Sequence, residues 1–260
     1  MLKTGNYSDL VDMAEDKRLS RELRLEAGRK AVDLYAETGS YSDLKKMARD
    51  ERLSEEIRLE AGRKVDEAGR RAIDFYVKKG YYMDLREMAE DERLSRELRL
   101  EAGRKAVDLY AETGNYSVLK KMARDERLSR ELRLEAGRRA IDFYVKKGYY
   151  MDLREMAEDE RLSRELRLEA GRKAVDLYAE TGNYSVLKKM ARDERLSREL
   201  RLEAGRKVDE AGRRAIDLYA ETGNYSCLIK MAEDEGLSEE IRLEAGNRSK
   251  RLLKELESYL

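Results

Sequence analysis

The sequence predicts an all-α protein, an α-solenoid superhelix of stacked long-helix and short-helix pairs, on three observations. Gly103, Gly137 and Gly171 open the same segment every 34 residues, and residues 68–135 reappear letter for letter as 136–203. A period of this size marks helix pairs that can hide their apolar faces only against neighbouring pairs. Proline is absent, 43% of residues are charged, and apolar residues recur at steps of three and four, which reads as amphipathic helix rather than disorder. Finally, the units share their punctuation: a Ser before the long apolar stripe and a Gly after it.

The chain opens on a partial unit, 1–26. Full units follow at 27–60, 68–101, 102–135, 136–169, 170–203 and 211–244, in a single array across 1–260. Two identical inserts, Ala-Gly-Arg-Lys-Val-Asp-Glu, occupy 61–67 and 204–210, and 245–260 reads as a C-terminal capping helix. In a typical unit Ser129 caps the long helix, with Glu131 in the first turn where the helix dipole favours an anion. Leu132, Ala136, Ala140 and Tyr144 form the stripe, Ile141 and Val145 widen it, and Gly148 supplies the left-handed stop. A short helix over about 150–159 buries Leu153, Met156 and Ala157. The interior Gly137 costs about 1 kcal/mol relative to Ala, so its recurrence predicts a helix crossing too close for a side chain. Each insert adds nearly two full turns and about 10 Å while almost preserving the apolar face. The helices near 54–79 and 197–221 should therefore project beyond one rim, either as a tolerated duplication or as a handle, joint or contact surface.

Two alternations run along the units. Outward positions of the short helix change sign: Asp12/Glu15, Lys46/Arg49, Glu87/Glu90, Lys121/Arg124, Glu155/Glu158, Lys189/Arg192, then the mixed Lys230/Glu233. Neighbouring short helices are expected to face each other with opposite charge, each exposed pair worth about 0.2–1 kcal/mol. The turns also differ. Tyr81 and Met83, with their copies Tyr149 and Met151, are extra aromatic and thioether side chains that suit either a unit junction or a peptide or protein contact. Val11 and Ile229 are apolar where Lys45, Arg86, Lys120, Arg154 and Lys188 stand in other units. That pattern fits ends that meet, in a ring or between molecules, or local packing against the terminal segment.

The chain resembles a tetratricopeptide-type helical repeat. The period agrees, and Tyr110, Gly114 and Tyr116 fall where that family has a Tyr, its turn residue and the Tyr opening its second helix. Gly103, Val107 and Leu119 depart from the family pattern, and its Pro before the next unit is missing. The resemblance implies stacked helix pairs and a peptide-binding groove, but no groove residues can be transferred. Copying that extends to exposed Lys and Arg choices fits an engineered or idealised repeat, or a very recent amplification.

Composition narrows the function. The 56 basic and 56 acidic residues cancel, so nothing draws the whole chain to nucleic acid or an anionic membrane. Histidine is absent and Cys227 is the only cysteine, which excludes internal disulfides and the usual imidazole or thiolate metal sites. No cofactor is expected. The opening residues lack an apolar signal core, so a cytoplasmic location follows as the expectation. Catalysis is disfavoured because carboxylates sit beside Lys or Arg on solvated faces and serines sit at caps. Three functions remain: a structural scaffold, a module binding peptide or protein on its concave face, and a self-assembling building block.

Overall fold

The computed structural model describes residues 7–257, so Met1–Asn6 of the partial first unit and the last three residues of the closing segment lie outside it. Among the described residues there are fourteen helices and no strands. In chain order they are α1 (Tyr7–Glu15), α2 (Arg21–Thr38), α3 (Tyr41–Met47), α4 (Glu55–Lys79), α5 (Tyr82–Glu90), α6 (Arg96–Glu112), α7 (Tyr116–Arg124), α8 (Arg130–Lys147), α9 (Tyr150–Glu158), α10 (Arg164–Glu180), α11 (Tyr184–Met190), α12 (Arg198–Glu221), α13 (Tyr225–Ala232) and α14 (Glu239–Glu257). Short and long helices alternate and pack on their neighbours, an all-α solenoid. The chain divides into two compact units, one ending at Ala136 and the other starting at Gly137. None of the helices is long and apolar enough to cross a membrane, among the described residues.

The punctuation expected from the sequence forms as hydrogen bonds. Ser129 Oγ accepts from the Leu132 N–H at 3.3 Å, and Ser95 Oγ from the Leu98 N–H at 3.2 Å, each occupying an otherwise orphaned first-turn donor. Gly148 turns left-handed at φ 68°, letting the Tyr149 N–H donate to Tyr144 O at 2.8 Å and close the helix end. The most intimate pairing is of a short helix with the long helix that follows it, α5 on α6 or α9 on α10. The packing unit is thus short-then-long, whereas the sequence was divided long-then-short. In the second unit an arginine of α10 adds to this pairing: Arg167 Nε donates to Ala157 O, in the last turn of α9, at 3.3 Å. The equivalent nitrogens of Arg24, Arg58, Arg99, Arg133, Arg201 and Arg242 are buried at corresponding positions without a bonded partner.

Long helices join through a plug and a notch. The first-turn Leu or Ile of each long helix lies on the interior glycine of the preceding one. A Cβ added to Gly103 would stand 2.8 Å from Leu132 Cδ2 and closer still to Cδ1; at Gly171 the same clash arises with Leu200. The close crossing predicted from the sequence is therefore present. Each plug is almost wholly buried, a contribution of about 1.5–3 kcal/mol per side chain. The arginine after the glycine reinforces it: Arg104 pairs with Glu131 and, at 3.6 Å, Glu135; Arg172 pairs with Glu199 and, at 3.6 Å, Glu203.

The inserts lengthen α4 to 25 residues and α12 to 24, against 17 or 18 for α2, α6, α8 and α10. The extension does run past the end of the preceding helix. An added Cβ on Gly39, at the end of α2, would lie 3.2 Å from Ala72 N of α4, and Arg71 Nη1 donates to Ala36 O at 3.3 Å. Yet the extension is no free-standing handle. Helix α6 docks on Gly69, the second glycine of α4, and leaves the first, Gly62, open, with only Ala48 Cβ at 3.9 Å from an added Cβ. The insert is a step that moves the next helix along its neighbour by seven residues, about 10 Å. Gly205 is the open counterpart in α12. Residues 245–257 do not form a separate capping helix; they continue α14.

Candidate functional site

The consecutive short helices within each unit do not pack backbone to backbone, among the described residues, and a groove is left between them. In the first unit it lies between α5 and α7, holds about 390 Å³, and has Tyr110 of α6 among its lining residues. Its copy in the second unit, about 500 Å³, is lined by α9 and by Tyr178 of α10. The lining is set by recurrence: Tyr82 opens α5 and leans on Tyr110 with ring centroids 4.6 Å apart, as Tyr150 does on Tyr178 at 4.7 Å. Burial pushes the hydroxyls of Tyr110 and Tyr178 above their ordinary pKa, so both remain protonated donors at neutral pH.

Four charges next to the groove form a closed ring. Arg86 bonds Glu90 at 2.7 Å and Asp125 at 2.9 Å; Arg127 bonds the same two carboxylates at 2.9 Å and 2.8 Å. The copy is Arg154, Glu158, Asp193 and Arg195, with contacts of 2.7, 3.0, 2.9 and 2.8 Å. The Arg127 hydrogen bond holds the Asp125 carboxyl down to about 2, and Arg195 does the same for Asp193. Such carboxylates are fixed anions that pin one helix pair to the next; at physiological pH they have no proton to give or take. The open part of the groove differs. Glu87 on one wall and Lys121 on the other are in no ion pair among the described residues. Met83 is 63% exposed and lines the groove, as Met151, 72% exposed, lines its copy.

The residues singled out from the sequence are not brought together. Tyr81 lies on the corner of α4, its ring 6.0 Å from Phe75 and 6.3 Å from Tyr76. Tyr149 likewise sits 5.9 Å from Phe143. Ile229 is exposed on α13. Val11 is half-buried on α1; its counterparts Lys45 and Arg86 reach the aspartate after the next short helix, Asp91 and Asp125, so Val11 stands on the side of its helix toward the following pair. The expected charge ladder is also rearranged. Glu15, Glu90 and Glu158 are engaged by the loop arginines Arg52, Arg127 and Arg195, while Lys46 bonds Asp43 of its own helix at 2.9 Å. Tyr82, Arg86, Asp125 and Arg127 were not selected from the sequence. The available signal was their recurrence in other units, which reading for differences between units passes over.

No group of three or more acidic, histidine or cysteine side chains is placed to hold a metal, among the described residues. No family model, curated protein or solved structure matches the chain.

Proposed function

We propose that this chain is a structural repeat scaffold without catalytic activity, engineered or idealised on a tetratricopeptide-like plan, whose output is a defined placement of helix pairs. One observation carries the reading: four ionised groups beside each groove are held in a closed ring, Arg86, Glu90, Asp125 and Arg127 and their copies, which joins helix pairs rather than awaiting a substrate. The regular caps, plugs and notches support it, since each level of the sequence serves stacking. A lone Cys227 suits a reducing compartment such as the cytoplasm.

A second reading has its own support. Met83 and Met151 are exposed beside like grooves, with unpaired acid and base across the first, a surface suited to an extended peptide or protein segment. Selection of a displayed random-peptide library on the immobilised chain separates the two. The scaffold reading expects no sequence enriched over bare matrix. A peptide enriched reproducibly, and lost on Met83→Glu with Met151→Glu, moves the assignment to binding.

A further inference from the structure

The ends of the array are halves of the junction repeated inside it. Leu23 stands three positions after the Ser20 cap, where Leu98, Leu132 and Leu200 are plugs, yet it is 46% exposed, with no long helix packed over it among the described residues. At the other end Gly246 of α14 is an unfilled notch: an added Cβ would meet Ala232 Cβ at an ordinary 3.6 Å. Leu243, beside it, is 60% exposed. We propose that this C-terminal face seats the N-terminal face of a second copy of the chain, head to tail, with Leu23 on Gly246, and that two missing cations keep the contact weak.

The internal junctions supply the register. Glu15, Glu90 and Glu158 each bond the arginine of the next loop, and the last short helix keeps this acid as Glu233. Its partner in a second copy is Arg18, whose side chain is 90% exposed. One ion pair therefore survives at the proposed contact. Two others do not. The cation that reaches the next loop aspartate, Lys188 to Asp234 inside the array, is replaced by Ile229, which would face Asp16 of the incoming copy. The arginine after the notch, Arg172 to Glu199 and Glu203 inside the array, is replaced by Asn247, opposite Glu22 and Glu26. The shape of the junction is retained, but two carboxylate sites on the arriving face lose the cation that an internal junction supplies across the contact, and Asp16 keeps only Arg18 of its own loop, at 2.9 Å; covering them so costs binding free energy.

Ile229→Lys with Asn247→Arg restores both cations at exposed positions. Sedimentation of the full chain across a concentration series, with circular dichroism as a check on folding, reads the result. The double variant should associate into head-to-tail oligomers at concentrations at least about tenfold below those at which the parent chain associates, a factor that corresponds to about 1.4 kcal/mol. Adding Leu23→Glu to the double variant should return it to monomer. A double variant that associates no more tightly than the parent overturns the proposal. So does an association that survives Leu23→Glu, since it would use another surface.

Discussion

Gly103 and Gly62 occupy the same place in the repeated sequence and opposite situations in space. The first lies under Leu132; the second faces nothing but the Ala48 methyl at 3.9 Å from an added Cβ. Gly62→Ala should therefore stabilise the chain by up to about 1 kcal/mol, the helix-propensity difference. Gly103→Ala must displace a buried leucine, and a loss on the order of 1 kcal/mol remains after the propensity gain. Denaturant midpoints of the two variants should move in opposite directions. Asp125 gives a second expectation at this scale. Its carboxyl is held at about 2 by Arg127, against 3.8 unperturbed. A folded-state value below the unfolded one means that the stabilisation is complete above pH 4 and disappears as pH falls through about 2. Asp125→Asn should lower the denaturant midpoint at pH 7, and the gap to the parent chain should close toward pH 2. The recurring glycine already announced a close crossing. Which copies are covered was not legible, because that depends on where the following helix lands after an insert.

At the scale of elements, the sequence disclosed most of what forms. Ser caps, glycine stops and the extended α4 and α12 follow from local chemistry that acts within a turn or two. The partner of each charged side chain did not follow, since it depends on how helices distant in sequence are placed. The sign alternation was visible, and its physical use by Arg52, Arg127 and Arg195 was not. The heptad step yields a sharp test. Deleting 61–67 removes 700° of helical rotation, nearly two turns, so the notch at Gly69 stays on the face that α6 needs. The deletion variant should melt cooperatively within a few degrees of the parent. Deleting only 61–65 turns the remainder of α4 by about 140°. It should lower the melting temperature substantially and broaden the transition, as followed by circular dichroism.

For the whole molecule, stability is a sum over junctions more than a property of any helix pair. The short-then-long pair α5–α6 has its own interface, but Leu98 is buried only because α4 precedes it. An excised pair should be mostly unfolded at room temperature, and unfolding free energy should rise with each pair added, measurable in a series of two to five pairs by denaturant titration. The repeat period made the stacking legible from the sequence; the grooves beside Tyr110 and Tyr178 were not, because an unoccupied volume leaves no residue to mark it. The plug-and-notch contact has a final consequence for symmetry. Its two sides are different objects, so a twofold axis, which sets each surface against its own likeness, cannot use it. Copies joined this way have only two geometrical fates, a closed cycle or a chain that always keeps one socket vacant, and a sealed symmetric pair is not among them.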